Sequence, residues 1–304
     1  MYLTYLLPRY THLFSNIGRY PVKPKLPSVP GNEGVGIVTE VGKEVKDIVP
    51  GHKVIFIETA QGTWRTEGIY NQKVLKCVPC ELGTVEASML MVNPCTAYRM
   101  LSDFKPVRKK NNLVVIQNGA NSSVGQNVIQ LCKAWGIKSI NIVRDKSDIK
   151  ELRKYLLCLG ATHVLTEKEL PKTKIFKDKI IKRPVLGLNC IGGESSSGLI
   201  KHLEHSGVLV TYGGMSRKPV KISTGALIFK NLTFKGFWMT QWHKKASKIE
   251  QDKMLNDLIN LICKNKLIAP KYKLVAFDNY NEALCDGLSS KAACKYVLDF
   301  SKYH

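Results

Sequence analysis

The residues whose types and spacing suggest chemistry are a run of short side chains, Gly119-Ala120-Asn121-Ser122-Ser123-Val124-Gly125, and one arginine, Arg144. Small side chains let a backbone turn sharply and come close to a ligand. Where such a turn joins a strand to a helix, the first N–H groups of the helix and its dipole hold an anion, typically a pyrophosphate. The ribose-reading position of that arrangement lies roughly 20 residues further on, and Arg144 stands there. An acid would bond a ribose 2′-hydroxyl, whereas an arginine favours a 2′-phosphate. The two features together read as NADP(H), with Asp145 next door pulling the other way.

The flanking text supplies the elements that would position them. Leu113 to Gln117 is a short apolar, β-branched run, as in a strand buried on both faces. Val124, Val128, Leu131, Cys132 and Trp135 recur at helical spacing, with Asn121 or Ser122 as N-cap and Gly136 closing the helix. Ser139 to Val143 is a second strand. The same text also fits an ordinary α/β repeat whose turn holds no ligand.

The alternation continues with a helix over Ser147 to Leu159, strands at His163 to Leu165 and Val185 to Cys190, and a helix over Ser196 to Glu204. Strands at Val208 to Tyr212 and Leu232 to Phe237 complete a doubly wound parallel sheet. Gly119, Gly192 and Gly213 fall at carboxyl ends of strands, where ligands approach such sheets, although each also serves a simple tight turn.

Before this region the chain is β-rich, with strands expected at Gly34 to Val41 and Lys53 to Ile57, β structure continuing from Gln61 to Leu75, and helices starting near Thr84 and Pro94. The first 32 residues, with Pro8, Pro21, Pro24, Pro27 and Pro30, read as loop or extended chain. They hold basic residues and no acid, as organellar presequences do, but no clear amphipathic repeat. The tail predicts a helix over Lys248 to Lys264, a strand at Lys271 to Val275, a helix over Tyr280 to Leu288 and a strand at Lys295 to Phe300.

With 304 residues, 44% of them hydrophobic, the chain can bury two moderate cores. No apolar run approaches the roughly 20 residues of a membrane span. The net charge of +22 suits acidic partners or a solvated surface. Its lysine runs lack the interleaved aromatics that single-stranded nucleic acid needs, so nucleic acid is not expected. Nine scattered cysteines are the usage of a reducing compartment. Only Cys77 and Cys80 have metal-like spacing and nothing completes four ligands, so no metal is expected.

Over about residues 12 to 300 the text resembles the zinc-free medium-chain dehydrogenase/reductases, and within them the mitochondrial 2-enoyl thioester reductases of fatty acid synthesis. The matching segments are GNEGVG from Gly31, PGHKVI from Pro50, GTWRTE from Gly62, VNPCTAYRML from Val92, NSSVGQ from Asn121, NIVRDKSDI from Asn141, LNCIGG from Leu188, VTYGGM from Val210 and FKGFWMTQW from Phe234. Zinc alcohol dehydrogenases carry a histidine where Asn32 stands, and their four-cysteine lobe is missing here.

The resemblance implies a GroES-like catalytic domain over 1–96 plus 243–304 and an NADP(H)-binding Rossmann domain over 97–242. It implies a dinucleotide, NADPH, held by Asn93, by Asn121, Ser122, Ser123 and Val124, by Arg144, Asp145 and Lys146, by Tyr212, Gly213, Gly214 and Met215, by Phe237, Trp238 and Met239, and by Lys295. Ser123 stands where the family carries glycine. The proton donor it implies is Tyr20, in Gly18-Arg19-Tyr20-Pro21; a phenol of pKa about 10 is protonated at neutral pH and can donate to a developing enolate.

The implied reaction is reduction of trans-2-enoyl thioesters on acidic acyl carrier protein or coenzyme A, in mitochondria, by a homodimer. Relatives carry further N-terminal sequence, so the chain is expected to be N-terminally truncated. Met1 to Thr11 would then leave the β-rich domain with an unpaired edge. Two other readings stand beside this: a quinone or enone reductase of the same superfamily, and an inactive paralogue acting as a basic binding protein.

Overall fold

The computed structural model describes residues 2–6, 27–105, 113–288 and 294–303. Contacts divide the chain into two compact units, Met1–Asn93 with His243–His304, and Pro94–Trp242.

The first unit begins with strands β1 (Tyr2–Leu6), β2 (Gly34–Ile37), β3 (Lys53–Phe56) and β4 (Leu75–Cys77) and the short helix α1 (Thr84–Ser88). Helix α2 (Asn93–Asp103) opens the second unit. There follow β5 (Val114–Gln117), α3 (Ser123–Ala134), β6 (Lys138–Val143), α4 (Ile149–Leu159) and β7 (His163–Thr166). Next come β8 (Leu186–Asn189), α5 (Gly193–His202), β9 (Val208–Thr211), α6 (Thr224–Ile228), β10 (Thr233–Gly236) and α7 (Met239–Lys245). The chain then returns to the first unit with α8 (Lys248–Cys263), β11 (Tyr272–Ala276), α9 (Tyr280–Leu288) and β12 (Lys295–Asp299).

The sheet of the first unit runs β11-β12-β1-β2-β3-β4. The unpaired edge expected from Met1 to Thr11 does not form at β1, which lies between β12 and β2, antiparallel to both, with Tyr5 opposite Asp299 and Leu6 opposite Gly34. The prolines begin only at Pro8, and Tyr2-Leu3-Thr4-Tyr5-Leu6 before them has strand composition. The expected strand from Gly34 ends at Ile37, and no strand forms between Gln61 and Gln72, where Gly62 adopts φ 67° in a turn. Trp64 packs beside Val275, Ala283, Leu298 and Phe300 in this unit.

In the second unit all strands are parallel, in the order β10-β9-β8-β5-β6-β7. The order reverses between β5 and β8, and at such a switch point the connections leave to opposite faces and open a crevice beyond the strand ends. Ile116, Ile140, Leu199 and Leu209 form the core on one face, and Ile129, Val143 and Leu156 on the other. Burying each such side chain stabilises the fold by about 1.5–3 kcal/mol.

Candidate dinucleotide-binding site

β5 is buried throughout, and the turn after it delivers the chain to α3 at the switch point. Gly119 takes φ 58°, and a Cβ there would lie 2.6 Å from the Cys190 Sγ. The Ser122 N–H donates to the Gly119 carbonyl at 2.9 Å and the Ala120 N–H to the Ile142 carbonyl at 3.2 Å, tying the turn to β6. Ser122, one of the two expected caps, is the N-cap: its hydroxyl accepts from the Gly125 N–H at 3.1 Å. A Cβ on Gly125 would meet the Ala120 carbonyl oxygen at 2.6 Å. The earlier N–H groups of a helix have no partner one turn back, so those of Ser123 and Val124 head a surface suited to an anion. Ser123 is the first helical residue and is half-buried; its carbonyl accepts from Asn127 Nδ2 at 2.9 Å.

Arg144, Asp145 and Lys146 follow the last residue of β6 and are all exposed. Asp145 pairs with Lys168 at 2.7 Å, which engages the neighbouring acid with another cation. Among the described residues no ion pair is formed by Arg144.

Tyr212, Gly213, Gly214 and Met215 follow β9. The Tyr212 hydroxyl is sealed from solvent without a hydrogen bond of good geometry; burial holds its pKa well above the usual value, with the Cys190 thiol adding to the rise and the Ser122 hydroxyl opposing it. Burial likewise pushes the Cys190 thiol up to about 11. Gly214 is exposed with nothing within 4 Å of a Cβ built on it, so its backbone is open to a ligand. Phe237 and Trp238 follow β10; Phe237 meets Phe104 edge-on at 5.9 Å, Trp238 is 37% exposed, and Met239 is buried. The second unit thus carries fourteen of the expected contacts, in three strand-end loops and the 237–239 stretch.

Two other expected residues belong to the first unit. Asn93 is buried, and the Lys295 ammonium lies 3.5 Å from Glu33 Oε1. Glu33 is buried, and its other carboxylate oxygen accepts from the Val92 N–H at 3.1 Å. Tyr20 lies outside the described residues.

Sequence reasoning missed the polar residues beneath the loops. Gln117 Nε2 donates to the Gly125 carbonyl at 2.9 Å and to Asn141 Oδ1 at 2.8 Å. Asn118 Nδ2 donates to Asn189 Oδ1 at 2.8 Å. All four amides are fully buried. Their signal was present: each is a polar residue within or directly after an otherwise apolar strand.

The arrangement fits a phosphorylated dinucleotide: side-chain-free backbone under the turn, an uncapped pair of N–H groups and an available guanidinium. Among the described residues no three His, Cys, Asp or Glu side chains gather to hold a metal ion, and no described helix is long and apolar enough to cross a membrane.

Comparison with known proteins agrees. The profile of the alcohol dehydrogenase GroES-like domain matches residues 8–95, and that of the zinc-binding dehydrogenases matches residues 123–253. The chain is 46% identical over 284 residues to the mitochondrial enoyl-[acyl-carrier-protein] reductase of Rattus norvegicus, covering 92% of this chain and 75% of that protein. A solved complex of Etr1p with NADP and crotonyl-CoA superposes with a TM-score of 0.90 at 29% identity, over 98% of this chain and 89% of the other. The Candida tropicalis mitochondrial 2-enoyl thioester reductase Etr1p/Etr2p heterodimer gives the same score, identity and coverage.

Proposed function

Since the chain belongs to the mitochondrial enoyl-[acyl-carrier-protein] reductases, within the zinc-free medium-chain dehydrogenase/reductases, we infer that it reduces trans-2-enoyl thioesters with NADPH in mitochondrial fatty acid synthesis. One observation carries the reading: a glycine-floored turn onto the N-terminus of α3 at the switch point, with Arg144 ending the next strand. NADPH, when bound, supplies the hydride for the substrate β-carbon.

The chain's own residues bind, orient and protonate. The N–H groups of Ser123 and Val124 face the pyrophosphate, while Arg144 with Lys146 receives the 2′-phosphate. The backbone of Tyr212 to Met215 and the rings of Phe237 and Trp238 wall the nicotinamide half and keep water from it. Asn93 and Lys295 are the remaining residues that the resemblance assigns to the dinucleotide. Tyr20 holds a proton at its phenol oxygen and gives it up, or a hydrogen bond, as charge gathers on the thioester oxygen and α-carbon.

The acyl group arrives on acyl carrier protein or coenzyme A, both acidic, and a chain of net charge +22 attracts either. As the resemblance implies, two copies associate through the edge of the parallel sheet, where β10 pairs on one side with β9.

The test is NADPH oxidation with a trans-2-enoyl coenzyme A ester, with NADH and a quinone run alongside. Turnover with NADPH on the enoyl ester is expected, and Tyr20→Phe is expected to lower it by about 10²–10⁴-fold. Quinone reduction without enoyl reduction would overturn the reading.

A further inference from the structure

We propose that the Asn118–Asn189 amide pair is a positioning device that sets the width of the switch-point crevice, and with it the place of the nicotinamide half relative to the pyrophosphate turn. The proposal rests on the NADPH reading above.

Asn118 directly follows β5, and Asn189 ends β8. These are the two strands between which the order reverses, so their side-chain bond of 2.8 Å spans the mouth of the crevice. Each amide is also bonded to the loops around it. Asn118 Oδ1 accepts from the Cys190 N–H at 2.8 Å, and its Nδ2 also donates to Ser195 Oγ at 3.1 Å. Asn189 Oδ1 also accepts from the N–H groups of Gly192 at 3.0 Å and Ile191 at 3.3 Å, and its Nδ2 donates to Thr211 Oγ1 at 3.1 Å. The Asn189 carbonyl accepts from the Tyr212 N–H at 3.0 Å. One pair of side chains therefore fixes the loop starting at Gly119, the loop after β8 and the loop starting at Tyr212.

The half of the sheet that faces the adenosine is held separately. There Gln117 joins Asn141, whose Nδ2 donates to Ser139 Oγ at 2.9 Å and to the His163 carbonyl at 3.1 Å. Two independent networks, one per half of the dinucleotide, make the expected effect selective. Loosening the Asn118–Asn189 pair moves the β8–β10 loops against the pyrophosphate turn and leaves the 2′-phosphate subsite at Arg144 in place.

Dissociation constants for NADPH and for adenosine 2′,5′-bisphosphate, with melting temperatures, are measured for the full chain and for Asn118→Leu, Asn189→Leu, Asn189→Asp and Thr211→Val. Each leucine variant is expected to weaken NADPH by about 10-fold or more while adenosine bisphosphate stays within about twofold. Asn189→Asp is expected to weaken NADPH less than Asn189→Leu does, because a carboxylate accepts from the same N–H donors and from the Thr211 hydroxyl. Thr211→Val is expected to weaken NADPH alone, by about two- to threefold.

Equal weakening of both ligands, or no change in either by folded leucine variants, would overturn the proposal. If the leucine variants do not fold, an unchanged NADPH affinity in Thr211→Val overturns it instead. Failure of the unaltered chain to bind NADPH would sink the underlying reading, a separate result.

Discussion

The two six-stranded sheets bury polar groups in opposite ways. In the parallel sheet the buried groups are neutral amides, Gln117, Asn118, Asn141 and Asn189, bonded across neighbouring strands. In the sheet of the first unit the corresponding place is taken by charge: Glu33, with its side chain 1% exposed, facing Lys295, 10% exposed. An amide network loses bonds one at a time and each loss is modest, whereas a buried ion left without its partner is strongly destabilising. The first unit should therefore fail abruptly on single substitutions, and the second should lose function before stability.

The largest expected effect tests the charged side. Lys295→Met leaves the Glu33 carboxylate buried and is expected to cost about 3–5 kcal/mol in urea denaturation, with a large part recovered in the Glu33→Leu/Lys295→Met double variant. Equal losses in the single and double variants would erase the contrast. Next comes the exposed guanidinium of the parallel unit. Arg144→Ala is expected to lower the preference for NADPH over NADH by about 10- to 100-fold with an unchanged melting temperature, read from kcat/KM for each cofactor.

A buried titratable group sharpens the comparison further. His202 stacks on Phe176 at 5.0 Å, and burial, then nearby Arg183, Lys201 and Lys230, pushes its pKa down to about 4. The unfolded chain, with an ordinary imidazole near 6.5, binds this proton first. The stability it contributes is whole above about pH 6.5 and is lost as pH falls towards 4, a change on the order of 2 kcal/mol after allowing for partial solvent access. His202→Phe is expected to flatten that slope in chemical denaturation. The smallest effects compare helix caps. Ser122→Ala in α3 and Ser247→Ala, which breaks the capping box of α8, are each expected to cost about 1 kcal/mol, and only Ser122→Ala is expected to weaken NADPH as well.

The parallel unit was largely legible in its sequence because its strands are short buried runs and its helices carry apolar stripes, so the two periods separate. Ser122 as N-cap and the Gly119 turn were legible because each follows from local spacing, and the proposal for Arg144 rests on the same kind of spacing. The amides were not, because Asn118 finds Asn189 71 residues away and a polar residue ending an apolar run reads as a boundary. α3 also carries buried Gln126, Asn127 and Gln130, which no amphipathic stripe announces; Gln126 accepts from the Tyr155 hydroxyl at 2.9 Å. In the first unit, β4 has only three residues, and the five-residue β1 takes its place from β12, far along the chain, which local spacing does not announce.

The place of β1 has a kinetic consequence. Tyr5 pairs with Asp299, so that sheet joins strands far apart in the chain, with a unit whose strands all lie within 114–236 between them in sequence. During synthesis the parallel unit has all its strands long before β12 emerges, while β1 waits with one side unclosed. Closing so long a loop is entropically slow, and an exposed ladder of amides is what chaperones shield and aggregates recruit. Refolding from denaturant should accordingly show two phases, the later one belonging to the split sheet.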